Sequence, residues 1–138
     1  MCIGAPNVIS IRSDLDVIAA RMAARDLARK MGFSTVNQAR IATATSELAR
    51  NMLLHAGEGN VMIGRIDQED RQGLLMVFED HGPGITDLEF ILAEPESASL
   101  IPSGSGLIST RRLVDELEIA SEHGVGTRVV CRKWLSHY

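Results

Sequence analysis

GLLMVFEDHGPGI, residues 73–85, decides how this chain is read. Its first part, residues 73–80, is a strongly apolar, strand-like run, and after Asp80 the pattern stops at a cluster of His, Gly and Pro. A second strand-like run, NVMIGRID at residues 60–67, precedes it across the polar loop QEDRQ, so the two are expected to pair as an antiparallel hairpin. Asp80 closes the strand as a two-acceptor group able to take an amino hydrogen. Gly82 and Gly84, bracketing Pro83, let the backbone approach a flat ligand closely. The same residues also describe an ordinary Asp-Gly-Pro turn at the end of a strand.

Working outward, residues 7–11 are short and β-branched and read as a first strand. Ser13 and Asp14 then open an amphipathic helix that closes at Gly32, with Val17, Ile18, Met22, Leu27 and Met31 as its apolar repeat. A second helix starts near Ser34 or Thr35 and runs to Gly57, which supplies the left-handed C-terminal residue. It carries several Ala and Thr among its apolar positions, as expected when one face packs closely and the other meets something polar. Beyond residue 85, a short helix is expected over 86–93, a loop over 94–106 and a helix over 107–117. Strands at 118–122 and 126–134 follow, around a turn at His123 and Gly124. Hairpins beside helices give an α+β fold, a two-layer sandwich with a mixed, mostly antiparallel sheet and helices on one face.

The chain has 138 residues, enough for one domain, 1–138, with one continuous core. Its 45% hydrophobic and 23% charged residues are those of ordinary soluble globular proteins. A formal net charge of -4 leaves no basic footprint for nucleic acid. No apolar run approaches the roughly 20 residues a bilayer crossing needs, and MCIGAPNVIS does not read as a secretion signal. Cys2 and Cys131 lie at opposite ends of the sequence, form no disulfide framework and have no Cys or His at metal-ligand spacing. A cytoplasmic location is expected.

Two further segments carry chemistry. In SELARN, residues 46–51, Glu47 and Asn51 stand four apart on the second helix and point the same way one turn apart. A carboxylate beside a carboxamide suits a site where one group orients a hydroxyl and the other binds a hard cation such as Mg²⁺. The pair equally describes a solvated helix face. In SGSGLIST, residues 103–110, a glycine-rich loop opens into a helix, whose unpaired N–H groups and dipole favour an anion. It is neither a dinucleotide fingerprint, which needs a third glycine and a strand feeding into it, nor a Walker loop, since no GK[ST] follows.

Each segment alone is weak; their order is specific. Glu-xxx-Asn on a helix, Asp-x-Gly-x-Gly after a strand, then Gly-x-Gly into a helix resembles the superfamily named for gyrase, Hsp90, histidine kinases and MutL. SELARN, EDHGPGI, GSGL and RRLVDE are similar, more closely, to the anti-sigma-regulatory serine/threonine kinases of bacterial stress signalling, over nearly the whole chain from DLDVIAAR to GTRVVCRKWL. The resemblance implies the Bergerat sandwich and ATP with Mg²⁺ as its ligands. It implies Glu47 as general base, Asn51 as the Mg²⁺ ligand, and Asp80 on the adenine amino group, with Gly82 and Gly84 beside the base. Gly104, Ser105 and Gly106 would cradle the phosphates, and Thr127 would help fix the adenine, unless it is simply a strand-favouring Thr. The implied partners are a STAS-domain antagonist as substrate and a PP2C-type phosphatase or other output enzyme, with a homodimer left open. Alternatives are an ATP-binding partner-switching module with little kinase activity and a direct anti-sigma factor. The chain departs from its relatives where they carry a glycine-rich lid: residues 94–103 include Pro95, Leu100, Ile101 and Pro102, which points either to a lid that closes differently or to turnover that is slowed or abolished. His55 reads as a helix-end residue and His81 as pocket-lining, neither with a metal-ligand partner. The Arg and Asp residues exposed on the first helix read as a solvated surface or a partner-facing one.

Overall fold

The computed structural model describes residues 2–82, 110–122 and 124–135, with side chains from residue 6 onward. Five strands and two helices follow in the order β1 (Cys2–Ile11), α1 (Asp14–Met31), α2 (Thr35–Ala56), β2 (Gly59–Gln68), β3 (Arg71–Asp80), β4 (Glu116–Glu122) and β5 (Gly126–Trp134). They make one sheet of order β1-β2-β3-β5-β4 with the helices on one face, the expected two-layer α+β sandwich. The expected parallel component of a mixed sheet is not seen: all four pairings are antiparallel among the described residues. The segments 86–93 and 94–106 lie outside the described residues.

Alternation along β3 explains both faces. Leu74, Met76 and Phe78 point into the main core with Ile11, Ile41, Leu48, Val61, Ile63 and Cys131, between sheet and helices. Leu75 and Val77 point the other way, into a smaller cluster with Ile66, Met62, Val130 and Trp134. A strand buried on both faces reads as a continuous apolar run, which is why residues 73–80 are so distinctive. On the helix side, buried Thr45 satisfies its hydroxyl by donating to the Ile41 carbonyl at 2.7 Å and lies 3.0 Å from Met76 Sδ. Burial pushes the Cys131 thiol up to about 12, so it stays protonated and behaves as a small apolar side chain.

The helix ends follow their capping residues. Gly32 and Gly57 are left-handed at φ 96 and φ 82, and each closes its helix by backbone bonds. Ser34 Oγ accepts from the Asn37 amide at 3.1 Å at the start of α2. Ser34→Ala is therefore expected to cost about 1 kcal/mol, read as a small fall in the urea midpoint at unchanged slope. At α1 the Ser13 hydroxyl makes no cap; Asp16 instead accepts from the Arg12 amide at 2.9 Å.

Three boundaries or faces differ from the sequence reading. β1 begins at Cys2 rather than at residue 7, with a register shift between Gly4 and Asn7 that accommodates Pro6 on an edge strand. The helix expected over 107–117 does not reach that far: helical backbone ends at Arg111, and Glu116 and Leu117 already belong to β4, paired with Arg132 and Cys131. On α1, Ile18 and Met22 are exposed, and the buried stripe is Val17, Ala20, Ala24 and Ala28. Small residues there let α1 pack closely, which no longer side chain at those positions would allow.

Candidate functional site

The topology brings the ends of β3 and β5 together at one edge of the core. Asp80, the last residue of β3, is in register with Thr127, the second residue of β5. Both follow the helix-facing alternation, two residues beyond Phe78 and two before Val129. Asp80 Oδ1 accepts from the Gly82 amide at 3.0 Å, an Asx-type turn that fixes the carboxylate. Its second oxygen has no partner among the described residues and remains an acceptor. Thr127 Oγ1 shares a 3.1 Å hydrogen bond with Ser121 Oγ of β4, which orients the threonine hydroxyl. An open pocket of about 480 Å³ is lined here by Asp80, His81, Ser121, Val125, Gly126 and Thr127. That size falls within the span of small-molecule sites, about 300–1,000 Å³.

Two glycines make this corner possible. A Cβ on Gly82 would lie 2.5 Å from Ala56 Cβ and 2.8 Å from its Cα, so the turn after β3 rests directly on the end of α2. Gly126, at φ 148, has its Cα against the Asp80 carbonyl, and a Cβ there would overlap that oxygen. Sequence reasoning found Gly82 but missed Gly126 and Ser121. The glycine directly before Thr127 was the available signal for the first; nothing local marks the second.

On α2, Glu47 and Asn51 are both half-buried on one flank of the helix. Glu47 Oε1 stands 4.0 Å from Arg50 Nη1, a partly solvated contact of small energetic weight. Asn51 Nδ2 is buried and has no hydrogen-bond partner among the described residues. An orphaned amide is costly, of order 1–3 kcal/mol, and such a group marks a site completed by something else. A carboxamide carries a donor and an acceptor on one planar group, so a half-turn brings either its nitrogen or its oxygen to a ligand. A site of one carboxamide oxygen fits Mg²⁺, which keeps several waters and takes its remaining oxygens from phosphates. Among the described residues no cluster of His, Cys, Asp and Glu could hold a metal alone.

His55 stands exposed in the last turn of α2, and His81 is exposed at the pocket. Gly84, Gly104, Ser105 and Gly106 lie outside the described residues. Among the described residues no helix is long and apolar enough to cross a membrane.

A layer of helices on an antiparallel sheet, with Asp80 and Thr127 paired at one end of the sheet, is the architecture of an ATPase-like domain. Residues 11–133 match the histidine kinase-like ATPase domain family, and the chain belongs to it. Within that family it is similar to the serine/threonine-protein kinase RsbT of Bacillus subtilis (strain 168), 42% identical over 129 residues that cover 94% of this chain and 96% of that protein. It is similar at greater distance to the anti-sigma F factors of Clostridium beijerinckii, 35% identical over 100 residues, and Clostridium kluyveri, 29% over 99. Each of those matches covers 67% of this chain and 68% of the relative.

Proposed function

We propose that this chain is an ATP-dependent serine/threonine protein kinase of a bacterial partner-switching module. It transfers the γ-phosphoryl group of ATP to a Ser or Thr of a STAS-domain antagonist. When released, it binds and activates a PP2C-type phosphatase or another output enzyme. The observation that carries this reading is the buried amide of Asn51, without a partner among the described residues, one helical turn from Glu47. The resemblance to a named protein kinase over almost the full length of both chains supports the same assignment.

Phosphoryl transfer asks the protein mainly for positioning and charge neutralisation. Asp80 holds the adenine amino group through its open carboxylate oxygen, and Thr127 fixes the neighbouring polar edge. Asn51 would hold Mg²⁺, which supplies charge neutralisation on the phosphate oxygens. The acceptor hydroxyl oxygen forms the new bond to the γ-phosphorus as the bond to the ADP oxygen breaks. Glu47 takes the hydroxyl proton. Gly104, Ser105 and Gly106 supply backbone N–H groups to the phosphates.

Asp80→Asn is expected to weaken ATP binding about 10- to 100-fold, because its amide presents donors where the adenine also donates and a charge-assisted bond of about 1.5–3 kcal/mol is lost. Unchanged affinity by calorimetry would remove Asp80 from the pocket.

The anti-sigma F matches favour a second reading, in which the nucleotide site serves partner choice and the domain switches or restrains partners with little transfer of its own. Incubation with labelled ATP and a STAS-domain protein separates the two. Label appearing on the STAS protein, and only with Glu47 intact, supports the kinase. Tight binding without label supports the switching module.

A further inference from the structure

One row of polar side chains crosses three strands at the pocket. Ser121 of β4 is in register with Thr127 of β5, which is in register with Asp80 of β3. All three share the helix-facing side of the sheet: Leu117 and Ile119, on the same side of β4 as Ser121, pack against the main core. Cross-strand neighbours on one face stand close enough for their side chains to meet directly. Ser121 is half-buried and lines the pocket with the other two.

The hydrogen bonds in this row have a direction. Ser121 Oγ lies 3.4 Å from the Gly126 carbonyl oxygen, and because a carbonyl only accepts, the serine is the donor there. A serine hydroxyl carries one proton. With that proton aimed at Gly126, the 3.1 Å contact between Ser121 and Thr127 has to use the proton of Thr127. Thr127 therefore turns its hydrogen away from the pocket and offers lone pairs to it, beside the Asp80 oxygen that the Gly82 amide does not use.

We propose that Ser121 is a positioning residue that sets base selectivity: by holding the Thr127 proton it keeps this edge of the pocket all-acceptor, which fits the 6-amino group of adenine and rejects a 6-oxo purine. The inference rests on the nucleotide-binding reading of this pocket. The two hydrogens of an exocyclic amino group then have an acceptor each, Asp80 for one and Thr127 for the other. A 6-oxo group brings a further acceptor to that edge and leaves lone pairs facing lone pairs, which costs more than a merely missing contact. Ser121 acts through Thr127, whose hydroxyl, once released, can rotate and donate into the pocket.

Calorimetric titration of the full chain with ATP and with inosine triphosphate, each with magnesium, tests it. The two nucleotides differ only in the 6-substituent and the protonation of the neighbouring ring nitrogen. The wild type is expected to bind ATP at least about tenfold more tightly. Ser121→Ala is expected to bind inosine triphosphate about 5- to 10-fold more tightly than the wild type does, the worth of one hydrogen bond gained, while ATP affinity moves by less than about threefold. A gain for the wrong base is something that damage to the fold does not produce. Ser121→Thr keeps a hydroxyl and is expected to keep the wild-type selectivity. In a Thr127→Val background, Ser121→Ala is expected to leave the ratio of the two affinities unchanged, because the group it acts through is gone. Equal loss of both nucleotides in Ser121→Ala, a ratio that falls only because ATP is lost, an unchanged ratio, or a wild type indifferent to the base overturns the inference and leaves the nucleotide site standing. A wild type that binds neither nucleotide overturns the site reading and the inference together.

Discussion

Glu47→Ala is expected to lower the rate of phosphoryl transfer by about 10²–10⁴-fold, the usual contribution of a positioned base. ATP affinity is expected to change far less, because the proposed adenine contacts belong to Asp80 and Thr127 rather than to Glu47. Glu47 contributes little to folding: it is partly exposed, and its described ionic contact is Arg50 at 4.0 Å. A loss of rate therefore reads on chemistry rather than on stability. Glu47→Gln keeps the shape and removes the basicity, so it should lose nearly as much. Single-turnover transfer to the acceptor protein is the measurement, and normal turnover in either variant would take Glu47 out of the reaction.

Gly126→Ala is the second large effect, and it acts on structure. At φ 148 the backbone lies where side chains are strained, and the new methyl would overlap the Asp80 carbonyl oxygen, which the β3–β5 ladder holds in place. Strain and overpacking together are expected to cost about 2–5 kcal/mol, lowering the melting temperature by roughly 10 °C. Gly124 is the control. Its φ is 79 but a Cβ there meets nothing within 4 Å, so Gly124→Ala carries only the backbone term of about 1–2 kcal/mol. Equal melting temperatures for the two variants would show that the Asp80–Gly126 contact is not tight.

The legible parts of this fold are those whose pattern is local and long. α2, with Ser34 to cap it and Gly57 to end it, is readable residue by residue. So is β3, because burial on both faces leaves a run that few other arrangements produce. α1 is legible as a helix, and Val17, Leu27 and Met31 of its apolar repeat do face the core, but Ile18 and Met22 do not. Ile18 and Met22 are more apolar than Ala20 and Ala24, yet the close approach of the helix selects the small residues for the interior. Residues 116–117 show the opposite override: Leu117 fits a helical repeat, but β5 offers Cys131 as a strand partner, and the ladder wins.

At the site, spacing and resemblance name Glu47, Asn51, Asp80, Gly82 and Thr127, and the structure sets Asp80 and Thr127 side by side. Glu47 and Asn51 share an α2 flank, and Gly82 rests on the end of that helix. Ser121 escapes such a reading because its role depends on the β4–β5 register, which no short motif encodes. Gly126 escapes it because the atom it must avoid belongs to Asp80, far away in the chain.

Titration of the ¹⁵N-labelled chain with ATP and magnesium, followed by amide chemical shifts, tests the nucleotide site most directly. The account predicts saturable shifts centred on Asp80, Gly82, Gly126 and Thr127, together with the side-chain amide of Asn51, while the outer face of α1 stays still. A spectrum that does not move, or moves only elsewhere, would contradict it.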